Sequence, residues 1–500
     1  MGSTTHLKLL VIGIDGASES VINKMLSQGK LPNFEKLKRS SSYGKLLSTF
    51  PPHTAPGWAS MFTGVEPGGH GIFQFWDTQP SDYKLRNMNS SDYQREPIWH
   101  TLERHGLKVG VNNVPMTHPP VELNGGYMIS WPLSTTISYT APKELKNELL
   151  KQDLHYQSDI VTMYRGQSDY CEQTSDFIQK RAETCVYLQQ TRPVDAMFVV
   201  FTEVDRVSHY YWGDNDEPSE VIEQCYQKMD NAIATLLQLA DDETLVIVSS
   251  DHGFGRCEAD FNVHEALEQQ GLLKTKFVPG EDVSNHVHHD DSVAGNWLES
   301  SISYRRVINW EQTYFYMPTP GCFGINVNLK GRELGGIVDV EELNEYVKKL
   351  EQVISSYSYQ GKPCFTLVKS GDVYSGVLAN KAPDYLIIPN SFNIMPTPNL
   401  TTKVWSSPSQ KGVHFPDGIL LVSGSTFPKD SKLFARIEDV YPIILAHLNL
   451  PVPEPIDGHW LIEPEQVVVR EQFQNNQHGR QLTNEESSYL DQQLRDIGYY

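Results

Sequence analysis

Four stretches of this chain are apolar from end to end yet no longer than a strand: Leu9-Leu10-Val11-Ile12-Gly13-Ile14, Met197-Phe198-Val199-Val200-Phe201, Leu245-Val246-Ile247-Val248 and Ile419-Leu420-Leu421-Val422. A strand with one face in water alternates polar and apolar residues, so unbroken runs mark strands buried on both faces, as in a parallel sheet covered by helices. Chemistry-bearing residues stand at their ends. Asp15 closes the first run, Asp205 and His209 follow the second, Asp251 and His252 follow the third, and His414 lies on a loop leading into the fourth. An open α/β sheet carries its ligands at such strand ends. The repeated order of run, ligand loop and helix predicts an α/β sandwich with a central, mainly parallel sheet flanked by helices.

Between the first two runs lies Thr49-Phe50-Pro51-Pro52-His53-Thr54-Ala55-Pro56-Gly57-Trp58-Ala59-Ser60-Met61-Phe62-Thr63-Gly64. Prolines 51, 52 and 56 fix φ, so the expectation is a rigid, non-helical bend as far as Gly57 and a helix starting in the run Trp58 to Phe62. Thr54 then stands at a helix entrance, where free N–H groups and the positive end of the dipole favour an alkoxide or a phosphate oxygen. Taken alone, it reads as an N-cap. The ligand-type residues elsewhere in the chain give it a chemical role.

Five hundred residues, 39% hydrophobic and 21% charged, suffice for one large core and a second unit. The apolar runs fall far short of the roughly 20 residues that span a bilayer. The first residues, Met1 to His6, carry no basic stretch, and the apolar run behind them leads to Asp15 rather than to a small-residue cleavage site. The expectation is a cytoplasmic protein with no membrane partner. A formal charge of −21 argues against nucleic acid, whose backbone needs a basic surface. It leaves room for a small phosphate ester in one pocket, where bound cations supply the local positive potential. Cysteines 171, 185, 225, 257, 322 and 364 are scattered without C-x-x-C spacing, which indicates neither a zinc knuckle nor a disulfide framework.

Helical spacing recurs over residues 19–27, 31–37, 98–105, 171–190, 221–239 and 437–448, and 107–115 reads as a further strand and loop. Residues 130–170 read as loops and short helices. From 255 to 410 the pattern changes: Phe323 to Leu329 alternates as a half-exposed strand, Glu341 to Ser355 is an amphipathic helix, and Asp384 to Pro389 is a short apolar strand. His286, His288 and His289 cluster with Asp290 and Asp291, and without a framing element they read as a polar surface loop. The expected organisation is a core over 1–254 and 411–470, an inserted cap over 255–410, and a polar, peripheral tail over 471–500.

Asp205 and His209 are four residues apart, so on a helix they share a face and can share one ion; a solvated ion pair is the alternative. Gly253 lets the backbone turn both Asp251 and His252 toward one ion. Three carboxylates and three imidazoles are the donors that hold a pair of divalent ions, zinc first and manganese second. Such a pair binds the attacking and leaving oxygens of an in-line displacement, and Thr54 supplies the attacking oxygen.

With these residues in view the chain resembles the alkaline phosphatase superfamily, and within it the type I phosphodiesterase/nucleotide pyrophosphatase branch and its phosphohydrolase and phosphomutase relatives. The marks are Gly13-Ile14-Asp15-Gly16, Thr54-Ala55-Pro56 with Thr63-Gly64, His70-Gly71-Ile72, Asp205 with His209, Ser250-Asp251-His252-Gly253, His414 and Ile456-Asp457-Gly458. The resemblance runs from Leu9 to about Leu461 and implies an alkaline-phosphatase-like sandwich. It further implies two metal sites: Asp205, His209 and His414 around one ion, and Asp15, Asp251, His252 and the Thr54 oxygen around the other. Thr54 is then the nucleophile of a phosphodiesterase, forming a phospho-threonine that is afterwards hydrolysed. A phosphomonoesterase or phosphomutase would use the same core.

Nucleotide pyrophosphatases of the superfamily carry an Asn shortly after His-Gly-Ile that donates to a phosphoryl oxygen, whereas Phe75 stands here, leaving Gln74 or Asn113 as substitutes. Two divalent cations balance three aspartates and a Thr54 alkoxide, which suits a phosphodiester monoanion. A monoester dianion would call for an added cation, for which Arg206 and Lys411 are nearest in sequence. A sulfatase would need Cys or Ser as nucleophile with Pro at +2 and Arg at +4, and this chain has Thr54, Pro56 and Trp58. A non-catalytic relative would have lost a ligand, and none is lost.

Overall fold

The computed structural model describes residues 6–131, 138–154, 170–213, 215, 217–279, 304–461, 469–475 and 478–496. The His286 to Asp291 cluster lies outside them. The described residues form two compact units, one of residues 1–72, 88–256 and 411–500 and one of 73–87 and 257–410.

The first unit is built on a nine-stranded sheet in the order Ser431–Arg436, Ser42–Leu47, Asp417–Ser423, Leu245–Ser249, Leu9–Ile14, Ala196–Phe201, Val109–Asn112, Tyr127–Ile129, Thr140–Ala141. The five strands from Leu245–Ser249 to Tyr127–Ile129 are mutually parallel, while Asp417–Ser423 and Thr140–Ala141 run against them. Period-two alternation explains the unbroken apolar runs. Leu10, Ile12 and Ile14 pack on one face with Val21, Met25 and Met229, and Leu9 and Val11 pack on the other with Trp58, Phe62 and Ile444. Each such side chain, fully buried, contributes roughly 1.5–3 kcal/mol.

Several elements differ from the sequence reading. Ser42–Leu47 is a strand of the main sheet that Ser, Gly and Lys disguise, and the backbone of Ser431–Arg436 lies so close that a Cβ on Gly44 would strike the Leu433 carbonyl. Helix Thr54–Thr63 begins at Thr54 rather than after Gly57. Pro56 is tolerated because N–H groups in a first turn have no intrahelical partner to lose. The C-terminal residues are not a peripheral tail: Arg470–Gln472 pairs with Val452–Glu454, and helix Asn484–Asp496 buries Leu490 and Leu494. Thr483 and Glu486 cap that helix reciprocally, Glu486 N donating to Thr483 Oγ1 and Thr483 N to Glu486 Oε2.

The second unit carries a four-stranded antiparallel sheet, Phe315–Tyr316, Gly324–Val327, Tyr385–Pro389 and Phe365–Lys369, with helix Leu343–Ser356 packed against it. The strand read as half-exposed over 323–329 lies inside this sheet, with Ile325 and Val327 in the core. Residues Phe73–Asn87 join this unit, although no composition change marks them off from the first.

Helix Glu203–Tyr211, which carries Asp205 and His209, follows directly on strand Ala196–Phe201. Its first residue is anchored by Arg181, whose Nη1 donates to Glu203 Oε1 at 2.6 Å and Oε2 at 2.7 Å in the interior. Arg181→Met removes this guanidinium from the buried Glu203 carboxylate, and urea unfolding should show a loss of about 3–5 kcal/mol. Replacing both partners by methionine should cost far less.

Candidate metal centre

All six ligand-type residues lie in the first unit. Asp15 follows strand Leu9–Ile14, its N–H donating to Phe201 O at 2.9 Å, and Gly16 turns the chain away at a φ of 70°. Asp251 and His252 follow strand Leu245–Ser249. His414 is not on a loop: it lies within strand Gly412–Phe415, paired antiparallel with Gly253–Arg256 so that Phe254 stands opposite it. That short ladder joins two stretches far apart in sequence and delivers His414 to the others.

The donor atoms gather into two groups, Asp205 with His209 and His414, and Asp15 with Asp251 and His252, all but the edge of His414 buried. Asp205 Oδ1 is 3.1 Å from His414 Nε2 and 3.5 Å from His209 Nε2, and those two nitrogens are 3.1 Å apart. Asp251 Oδ2 is 3.2 Å from His252 Nε2, which is 3.6 Å from Asp15 Oδ1.

Backbone carbonyls select which atom each ring presents. His209 Nδ1 lies 3.2 Å from Gly412 O, His252 Nδ1 3.0 Å from Gly253 O, and His414 Nδ1 3.2 Å from Pro52 O. A carbonyl only accepts, so each Nδ1 carries the proton. Burial pushes the His252 and His414 imidazoles below their ordinary pKa, so these rings are neutral and turn Nε2 lone pairs inward.

The carboxylates are selected in the same way. Trp58 Nε1 donates to Asp15 Oδ2 at 3.1 Å, Arg206 Nη1 to Asp205 Oδ2 at 3.0 Å, and Gly16 N to Asp251 Oδ1 at 3.2 Å. The opposite oxygens, Asp205 Oδ1 and Asp251 Oδ2, are buried and make no aligned hydrogen bond. Burial first, then the neighbouring aspartates, push the Asp15 and Asp251 carboxyls well above the usual range. Lone pairs and carboxylate oxygens converging in a dry interior repel one another unless cations stand between them. The donor set therefore fits a pair of divalent ions bound by oxygen and imidazole nitrogen.

Thr54 meets this centre at its edge. Its Oγ1 lies 3.4 Å from Asp15 Oδ1 and 3.3 Å from His252 Nε2. It is the first residue of its helix, and the N-cap is His53, whose Nδ1 accepts from Ala55 N at 3.2 Å. Thr54 is thus not the cap, and its hydroxyl is directed at the ligand groups. Gly57 lets the helix lie against the Asp251 backbone, since a Cβ there would come within 3.0 Å of Asp251 Cβ.

The two substrate candidates fare differently from the ligands. Arg206 is buried and its guanidinium rests on Asp205 rather than facing outward as an added cation. Asn113 Nδ2 donates one of its two N–H groups to Val200 O at 2.9 Å, and its Oδ1 is buried without a hydrogen-bond partner. Sequence reasoning missed Trp58 and His53. Neither was legible, because a helix begun after Gly57 does not set Thr54 and Trp58 on one helix face.

Should each group hold one ion, exhaustive loading followed by elemental analysis gives two ions per chain. Asp251→Asn and His414→Asn should each reduce that count to one, and saturation of the intact centre should add stability, about 2.7 kcal/mol per ion at a hundred times its Kd.

Comparison with known proteins agrees with this architecture. The chain matches the family model described as type I phosphodiesterase / nucleotide pyrophosphatase over residues 9–407. No curated protein sequence matches it. Among solved structures it is similar to an inactive threonine-to-alanine form of murine ectonucleotide pyrophosphatase / phosphodiesterase 5 in complex with AMP, at 14% identity, TM-score 0.57, covering 91% of this chain and 98% of that one. The human counterpart gives 14% identity and a TM-score of 0.56, with 90% and 97% covered. Phosphonoacetate hydrolase from Sinorhizobium meliloti 1021, in complex with phosphonoformate, gives 14% identity and a TM-score of 0.54, with 87% and 94% covered. Among the described residues no helix is long and apolar enough to cross a membrane. The chain belongs to the type I phosphodiesterase / nucleotide pyrophosphatase family and is a phosphoric ester hydrolase.

Proposed function

We propose that the chain hydrolyses small-molecule phosphodiesters through a covalent phospho-threonine at Thr54. The observation that carries this reading is the place of Thr54 Oγ1, within 3.4 Å of Asp15 Oδ1 and 3.3 Å of His252 Nε2 at a helix N-terminus. Asp205, His209 and His414 would hold one divalent ion and Asp15, Asp251 and His252 the other, with zinc the first choice and manganese the second. Such ions lower the pKa of a bound hydroxyl and neutralise charge on a phosphoryl group in transfer.

The chain's own residues do the rest. The helix dipole at Thr54 stabilises developing negative charge, and His53, by capping that helix, keeps the hydroxyl in place. Thr54 Oγ1 gives up its proton and bonds to phosphorus as the alcohol oxygen on the far side departs and takes up a proton; water then cleaves the threonine ester, which still carries the second alcohol, restoring the hydroxyl and releasing a monoester. The inactive threonine-to-alanine form of the murine neighbour supports a threonine in this role. Substrate charge follows from the cations. Arg206 is committed to Asp205, and Lys411 is exposed, its backbone N–H donating to His209 O at 2.8 Å. With Arg206 already paired to Asp205 and Lys411 exposed, we read the centre as favouring a monoanionic diester over a dianionic monoester.

The purified chain, loaded with Zn²⁺ or with Mn²⁺, should cleave an aryl phosphodiester faster than the matching aryl phosphate monoester. Thr54→Ala should keep its fold and both ions, because the helix cap is His53, while diester turnover falls by several orders of magnitude. Acid quenching should trap a phosphoryl adduct on Thr54 in the parent and none in the variant. Near-normal turnover in the metal-loaded variant would replace covalent catalysis with direct attack by water.

A further inference from the structure

We infer that Trp58 is a positioning residue that holds Asp15 to one ligand oxygen, and that the helix carrying the nucleophile thereby sets the geometry of its own metal site. The inference rests on the reading above that Asp15 binds an ion. Trp58 and Asp15 are both buried, and the indole Nε1–H donates to Asp15 Oδ2 at 3.1 Å. Asp15 Oδ1 faces the other way, 3.4 Å from Thr54 Oγ1 and 3.6 Å from His252 Nε2. Thr54 and Trp58 are four residues apart in helix Thr54–Thr63, so one helix face meets both oxygens of one carboxylate. With Oδ2 turned to the indole, Oδ1 is the oxygen Asp15 presents to Thr54 and His252.

The surrounding structure is shaped for this contact. Gly13, in strand Leu9–Ile14, leaves the space the indole fills, because a Cβ there would collide with Trp58 Cη2. Phe62 stacks on the ring with centroids 5.8 Å apart and planes at 16°. Apolar packing alone could be met by phenylalanine; the indole adds one N–H, and in a dry interior that N–H needs the acceptor it has found. A neutral donor also fixes the carboxylate without cancelling its charge, unlike the guanidinium on Asp205. Partners of this kind behind metal ligands tune affinity by about 10–100-fold.

The test uses the full chain with Trp58→Phe and, at the same position, benzothienylalanine, which keeps the bicyclic volume and lacks the N–H. Titration with Zn²⁺ by calorimetry should show one ion bound as in the parent and the other weakened by about 10–100-fold in both variants. With metal saturating, kcat for an aryl phosphodiester should drop while KM stays within about threefold, as for an interaction made in the transition state. Circular dichroism checks that each variant is folded; should Trp58→Phe fail to fold, the benzothienylalanine variant carries the decision. Parent-like affinity for both ions and parent-like kcat in the benzothienylalanine variant would overturn the inference, leaving Trp58 as core packing. A parent chain that binds no divalent ion would overturn the reading of the centre itself, and this inference with it.

Discussion

Three aspartates converge in the dry interior of one unit, and the rest of the structure answers that repulsion. Moving even one unpaired carboxylate out of water costs several kcal/mol, and two more nearby add like-charge repulsion. The chain offsets part of this with three different donors, an indole, a guanidinium and a backbone amide, each spent on one oxygen of one aspartate. It leaves the opposite oxygens of Asp205 and Asp251 without aligned hydrogen bonds. A polar network kept only for stability would satisfy both oxygens, since a half-satisfied network is worse than an apolar one. The incomplete satisfaction fits a candidate ligand set.

Helix Thr54–Thr63 is the part on which the other elements register. Its start is set by the His53 cap, while Pro52 O holds the His414 ring. Its flank meets Asp251 at Gly57 and Asp15 at Trp58. Its end is Gly64, in the left-handed region at a φ of 70°, and Gly64 O accepts from Asp457 N at 3.0 Å and Gly458 N at 3.2 Å. His70 ties in as well, with Nε2 2.9 Å from Ser60 Oγ and Nδ1 accepting from Ile72 N. The His70-Gly71-Ile72 and Ile456-Asp457-Gly458 marks are therefore braces on this helix rather than ligands.

The parallel core was legible because short unbroken runs rich in β-branched and aromatic residues, such as Val199-Val200-Phe201 and Val246-Ile247-Val248, suit strands buried on both faces. The candidate ligand residues stood out because Asp15, Asp205 and Asp251 follow directly on those strands. Ser42–Leu47 did not, since an inner strand near the sheet's margin needs few large side chains and the sequence SYGKLL carries no period. The helix start at Thr54 was hidden by a rule applied too broadly, as proline is excluded from helix interiors but not from first turns. The strand under His414 depends on pairing with residues some 160 positions away, and its four residues, Gly-Val-His-Phe, have no local signature. The docked C-terminal helix was overlooked although Thr483-Asn484-Glu485-Glu486 spells a capping box, because the surrounding composition is polar.

The two donor groups are unequal in charge, which bears on the nucleophilic role proposed for Thr54. Asp205, His209 and His414 bring one carboxylate, which already shares its charge with Arg206; Asp15, Asp251 and His252 bring two. Thr54 lies against the more negative group, where forming an alkoxide is harder on electrostatic grounds alone. The chain compensates by placing Thr54 at the first position of a helix, whose N-terminus carries roughly half a positive charge. Moving the hydroxyl one turn along the same helix would forfeit that field, because the effect fades within the first turn. The proline-rich approach to Thr54 keeps the helix start, its dipole and the hydroxyl in register.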